Sequence, residues 1–151
     1  ETEIMLTAPF VLTKAALPGM YERNWGRIIN VASVHGLRAS PFKAAYVVAK
    51  HGLIGLTRVT ALEGAEHGVT CNAICPSYVR TPLVEKQIAA QAKVHGIPES
   101  EVVAKVMVTE GAIKRLLEPA EVAQLVTYLC GDAASGITGG AQTIDCGWTA
   151  H

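Results

Sequence analysis

Apolar positions recur along this chain in two rhythms. Between residues 4 and 21, Leu6, Phe10, Ala16, Leu17 and Met20 stand among small residues. That spacing predicts a helix from about Ala8 to Met20. Pro9 fits only in its first turn, where a missing N–H breaks no bond, and Gly19 and Gly26 punctuate the exit. Ile28-Ile29-Asn30-Val31-Ala32 is a β-type run, so a first strand is expected over Arg27 to Ala32. After turn-prone residues Gly36, Ser40 and Pro41, a long helix is predicted from Pro41 or Ala44 to Glu66, stopped by Gly68. Its apolar residues Val47, Val48, Leu53, Ile54, Leu56, Val59 and Leu62 surround much of the circumference, which implies burial on more than one side. Gly52 and Gly55 would weaken an exposed helix and are expected to permit close packing against another one.

Val69 to Cys75 is a nearly unbroken apolar run ended by Pro76. Such a run suits a parallel strand covered on both faces. Residues 82 to 110 read as a partly helical excursion broken at Gly96 and Pro98. Glu118-Pro119-Ala120-Glu121 opens a further helix with proline near its first turn, and Gln142 to Cys146 is expected as the last strand. Strands alternating with helices argue for βαβ crossovers and a parallel sheet.

Composition narrows the function classes. The chain has 151 residues, half of them apolar, with 13 basic and 13 acidic side chains and a formal net charge of zero. Neutrality argues against a nucleic-acid binder held by phosphates. No uninterrupted apolar run approaches a membrane span. Cys71, Cys75, Cys130 and Cys146 follow no disulfide or zinc-ribbon spacing. They read as free thiols in a reducing cytoplasm, with no metal site.

The candidate chemistry sits between Arg27 and Lys50. Ser33 stands at the carboxyl end of a strand, where open α/β sheets place their sites. Tyr46 and Lys50 are four apart, so they share one helical face. A free phenol titrates at roughly pH 10 and is a poor base near neutrality. An ammonium one turn away favours its phenolate, and a tuned phenol can move the proton of a substrate oxygen. A serine hydroxyl can hold that oxygen still. No side chain transfers hydride, so a redox cofactor would have to supply it.

Ser33 followed by Tyr46-Val-Val-Ala-Lys50 resembles the active-site signature of the short-chain dehydrogenase/reductase family. The context carries the resemblance further: Arg27-Ile-Ile-Asn-Val-Ala-Ser33, Asn72-Ala-Ile-Cys-Pro76, Val79-Arg-Thr81-Pro82, Ile137-Thr-Gly-Gly140 and Asp145-Cys-Gly-Trp148 follow in order. Within the family, Ser33-Val-His-Gly-Leu37, Ser40-Pro-Phe-Lys43 and Pro82-Leu-Val-Glu-Lys-Gln87 are similar to bacterial D-3-hydroxybutyrate dehydrogenases. The resemblance implies Ser33, Tyr46 and Lys50 as catalytic residues. It implies His35, Lys43, Gln87 and Trp148 around a substrate carboxylate, and Pro76, Tyr78, Val79 and Thr81, with Tyr46 and Lys50, around NAD. The implied reaction interconverts D-3-hydroxybutyrate and acetoacetate. The implied assembly is a homo-oligomer.

The same resemblance marks departures. The family's strand and glycine-rich turn over the cofactor pyrophosphate do not occur in this sequence. The expected fold is therefore the carboxyl-terminal part of a Rossmann-like doubly wound parallel sheet, about three strands with flanking helices, in one partial domain over residues 1–151. The strand over Ile28 to Ala32 would then be an unpaired edge. Met5 stands where the family places an asparagine serving a water relay to the lysine, and a thioether cannot donate a hydrogen bond. Ser77 replaces a usual glycine. Gly139-Gly140 reads as a structural turn. Two rival readings follow: a family dehydrogenase for another 3-hydroxy or 3-oxo substrate, and a non-catalytic oligomerising module.

Overall fold

The computed structural model of the chain describes residues 1–150. A π turn over Glu3–Thr7 runs into α1, Ala8–Glu22, and β1, Gly26–Val31, follows. A 3₁₀ turn, Val34–Gly36, leads to α2, Ala44–Gly64, and then to β2, Val69–Pro76. The excursion holds α3, Pro82–His95, and the short α4, Glu99–Val102, with a π turn after it. The chain closes with α5, Pro119–Cys130, and β3, Ala141–Ile144. Each expected element is present within a few residues. The last strand stops two residues early because Cys146 takes a left-handed φ of 56°, which no ladder accommodates.

The sheet is parallel throughout, in the order β1-β2-β3. Gly26 pairs with Val69 and Val31 with Ile74, while Ala73 faces Ala141 and Pro76 faces Ile144. Every residue of β2 is buried, as its nearly unbroken apolar run demands of a central strand. Ala73 and Cys75 point to one side and pack with Ala32, Leu53 and Ile54. Ala49, Leu53, Ile54, Thr57, Thr60, Ala61 and Gly64 make the buried stripe of α2, at the three-to-four spacing of one helical face. Gly64 meets Val69 at van der Waals limits, with a Cβ there only 3.0 Å from the valine Cβ. A second core of Ala92, Val102, Met107, Val108 and Leu116 lies within the excursion and supports Tyr78.

Two helix starts follow local rules. Thr81 is extended and its Oγ1 accepts the Val84 N–H at 3.3 Å, capping α3. At α5 the Glu121 carboxylate reaches back to the Glu118 N–H at 2.8 Å, and Pro119 sits in the first turn.

Two expectations are amended and one is extended. Gly52 does permit a close approach, since a Cβ there would lie 2.8 Å from Leu6, but Gly55 has nothing within 4 Å. The run Glu3–Glu22 forms 20 continuous helical residues, long and apolar enough by length and composition to cross a membrane. Counting uninterrupted apolar runs missed it because Thr7, Thr13 and Pro18 interleave with Leu, Val and Ala. Lastly, β1 is an edge as expected, and a cavity of about 520 Å³ runs beside it between Met5, Thr13, Asn30, Val31 and Lys50.

Candidate active site

A cavity of about 570 Å³ opens where the chain leaves β1 and β2. Ser33, Val34 and His35 enter it from the β1 end, Tyr46 and Lys43 from the start of α2, and Ser77 to Val79 from the β2 end. Thr81, Gln87 and Trp148 complete the residues expected there. Its size is that of a small-molecule site, a few hundred Å³.

Ser33 is buried and extended, and caps the 3₁₀ turn: its Oγ accepts the His35 N–H at 3.1 Å. That bond uses a lone pair and leaves the hydroxyl hydrogen free to donate. Gly36 lets this turn press on α2. A Cβ at Gly36 would stand 2.9 Å from the Lys50 carbonyl and 2.7 Å from Ile54 Cδ1. The glycine therefore sets how closely Ser33 and His35 approach the helix bearing Tyr46.

His35 is the hub. Its ring lies edge-on to Tyr46 at 5.9 Å and to Trp148 at 5.4 Å. Lys43 Nζ is 3.2 Å from its Nε2. An ammonium only donates, so Nε2 accepts and the neutral ring carries its proton on Nδ1. This tautomer is assigned from that hydrogen bond. Nδ1 is buried and has no hydrogen-bond partner among the described residues. Burial, and then the Lys43 charge, hold the His35 pKa below the usual histidine value. The Lys43 ammonium lines the cavity beside this ring, so it is the donor that an anion there would meet.

Lys50 shares the Tyr46 helix face, as its spacing requires, and also reaches the sheet edge. Its Nζ donates to the Val31 carbonyl at 2.9 Å and lies 5.6 Å from the Tyr46 ring centre. It lines the cavity beside β1 rather than the one holding Ser33. The reason is the sheet edge, where Val31 offers a carbonyl that no neighbouring strand takes. Burial lowers the Lys50 pKa. Met5 lines that same cavity.

The loop after β2 is held from both sides. Ser77 N–H bonds the Ile144 carbonyl at 3.2 Å, the Tyr78 carbonyl accepts from Leu117 at 2.9 Å, and Arg80 N–H bonds Leu117 at 2.8 Å. Pro76 is buried at the strand end and does not line the cavity. Gly139 and Gly140 serve the turn before β3: Gly139 N–H bonds Cys71, and Gly140 N–H bonds the Asn72 side chain.

Sequence reasoning missed Phe42, Leu83 and Val84, which line the same cavity. Phe42 carries a visible signal only in hindsight, an aromatic among turn residues that adopts a left-handed φ of 64°. It also missed what Asp145 does, although Asx residues before glycine are known turn formers.

The family model described as enoyl-(acyl carrier protein) reductase matches residues 2–149. The chain belongs to the short-chain dehydrogenase/reductase family. It is 53% identical to a D-beta-hydroxybutyrate dehydrogenase of Rhizobium meliloti (strain 1021) over 98% of its own length. It spans only 57% of that relative. Among solved structures it is similar to an actinorhodin polyketide ketoreductase variant with NADPH, at 34% identity and a TM-score of 0.87, over 97% of this chain and 57% of that one. It is also similar to a 4-hydroxyisoleucine dehydrogenase complexed with NADH, at 32% identity and a TM-score of 0.78, over 99% of this chain and 58% of that one. The expected family and the Rossmann-like sheet are thus borne out.

Proposed function

We propose that this chain carries the catalytic half of an NAD-dependent dehydrogenase for D-3-hydroxybutyrate and acetoacetate. The observation that carries the reading is the joint placement of Ser33, Tyr46 and the His35–Lys43 pair in one cavity. Ser33 has a free hydroxyl hydrogen for the substrate oxygen. Tyr46 exchanges the proton on that oxygen, with the Lys50 cation favouring its phenolate. The Lys43 ammonium, held beside the His35 ring, receives the carboxylate. Gln87 adds an amide donor and Trp148 a wall.

The residues present fit the nicotinamide end of the cofactor. The loop from Ser77 to Thr81 borders the cavity with its backbone fixed by Leu117 and Ile144. When bound, the cofactor supplies hydride exchange with the substrate carbon. NAD rather than NADP is proposed from the resemblance to hydroxybutyrate dehydrogenases.

A homo-oligomer is also proposed. Ile4, Phe10, Val11 and Leu12 on the first helix and Val48, Val59 and Leu62 on α2 are exposed, which is the kind of apolar surface that marks an interface. Light scattering on the purified chain should give a mass above 15.9 kDa.

The test is NADH formation by the purified chain from NAD and D-3-hydroxybutyrate, with Tyr46→Phe alongside. Formation abolished by the substitution supports the reading. Saturable NAD binding with turnover of a 3-oxoacyl thioester but not of hydroxybutyrate would instead select another substrate in the family. A second reading, a non-catalytic assembly module, is favoured by the Lys50–Val31 bond, which draws the ammonium to the sheet edge. Absence of any saturable NAD binding would support it.

A further inference from the structure

We infer that Asp145 is a positioning residue that, with Arg38, sets the Trp148 indole against His35 and so shapes the carboxylate end of the cavity. The inference takes its ligand from the proposed function and its geometry from the chain itself.

Past β3 the backbone turns sharply, with φ of 56° at Cys146 and 78° at Gly147. This left-handed pair throws residue 148 back towards the loop after β1. A single buried carboxylate then fastens both flanks of the tryptophan. Asp145 Oδ1 accepts the Gly147 N–H at 3.0 Å, and Oδ2 accepts the Thr149 N–H at 2.9 Å and the Thr149 hydroxyl at 2.6 Å. The Trp148 N–H also returns to the Asp145 carbonyl at 3.1 Å. A second tie comes from the other element: Arg38 Nη2 donates to the Thr149 carbonyl at 3.2 Å. Arg38 lies three residues beyond His35, so the loop bearing the histidine and the segment bearing the tryptophan are joined directly. Between them stands the edge-on contact of the two rings at 5.4 Å and 70°.

The consequence reaches the anion receptor. Trp148 and Lys43 both line the cavity, and the His35 ring between them contacts each one. Asp145 does not line the cavity, so it acts through Trp148 and has no contact with a ligand. Burial pushes its pKa up, but donation from Thr149 and Gly147 outweighs this and holds it below the usual carboxylate value. The clamp is therefore an anion with three donors, the strong form of such a motif.

The sequence holds two tryptophans, so a Trp25→Phe background leaves Trp148 as sole reporter. Acrylamide quenching of its fluorescence and its titration by D-3-hydroxybutyrate, with 2-butanol as a control lacking the carboxylate, are compared in Asp145→Asn, Thr149→Val, Thr149→Ser and Arg38→Met. The expected result is at least a twofold rise in the quenching constant in Asp145→Asn. Smaller rises are expected in Thr149→Val and Arg38→Met, with Thr149→Ser like the parent. Hydroxybutyrate affinity should fall roughly tenfold in Asp145→Asn. Arg38 is exposed, so its variant keeps the comparison usable if Asp145→Asn unfolds. Unchanged quenching in both Thr149→Val and Arg38→Met overturns the inference. A parent chain that ignores hydroxybutyrate overturns the substrate reading instead, and the quenching comparison still decides the clamp.

Discussion

Replacing Asn72 with alanine should destabilise the chain by about 3 kcal/mol. Asn72 is fully buried in the central strand. Its Nδ2 donates to the Ile137 carbonyl at 2.7 Å, and its Oδ1 accepts the Gly140 N–H at 3.1 Å. The side chain thus pins both ends of the turn that delivers β3 into register. Alanine strands two backbone groups at about 1 kcal/mol each, the low end of the range because both are only partly buried. The lost amide volume leaves a void that adds about 1 kcal/mol. With a urea slope of about 2 kcal/mol per M for a domain of this size, the midpoint should fall by about 1.5 M. Far-UV circular dichroism across a urea series reads it. Asn72→Asp should be worse, since an acceptor would face the Ile137 carbonyl and a charge would be buried. A midpoint within about 0.5 M of the parent for Asn72→Ala, or an Asn72→Asp chain as stable as the parent, would refute the reasoning.

Gly36→Ala should cost about 1–3 kcal/mol by overpacking against the Lys50 carbonyl and Ile54, and should weaken any ligand response by moving Ser33 and His35 off α2; thermal melts and ligand titration check the two parts. Phe42→Gly should leave stability equal or raise it by up to about 1 kcal/mol: relief of a left-handed phenylalanine exceeds the entropy glycine adds to the unfolded chain, and a side chain 104% exposed loses no packing. A urea midpoint clearly below the parent's would contradict this. Because the folded His35 pKa is lowered from 6.5, the unfolded chain binds a proton that the folded one resists. Stability should therefore be full above pH 6.5 and decline as pH falls from there towards the folded pKa. His35→Gln should flatten that part of the pH–stability curve, and an unchanged slope would count against the burial of the ring.

Much of this fold was legible because its signals were local and redundant. The nearly unbroken apolar run Val69 to Cys75 admits little except a central parallel strand, and β2 is buried throughout. Tyr46 and Lys50 at a spacing of four had to share a helix face. Pro119 before Glu121 had to open a helix. What stayed hidden was non-local. The sequence shows Asp145 before Cys146 and Gly147, but only the folded chain shows that Arg38 closes the loop through Thr149, 111 positions away. Phe42 sits among turn residues with no periodicity to fix its direction. The helix itself was expected from about Ala8, but its full run of 20 residues from Glu3 was not, because polar residues interrupt the apolar ones.

Lys50 shows where a local rule meets a global constraint. Helical spacing places its stem on the Tyr46 face, and it obeys. The ammonium, however, goes to the strongest unsatisfied acceptor within reach, and at the edge of a sheet that is a backbone carbonyl. Val31 is 56% exposed and lies on the edge strand, so its carbonyl competes with the phenol for the charge. A strand paired along that edge would alter the competition, because it would shield the groove of about 520 Å³ that Lys50 and Met5 now line. Shielding in turn deepens the desolvation that already lowers the Lys50 pKa, and a less hydrated ammonium gains more from a nearby phenolate. The reactivity of Tyr46 is thus tied to what lies along β1. Chemical modification of Lys50 by an amine-reactive reagent reports the state of that edge: it should be fast in the chain alone and slow once the edge is covered.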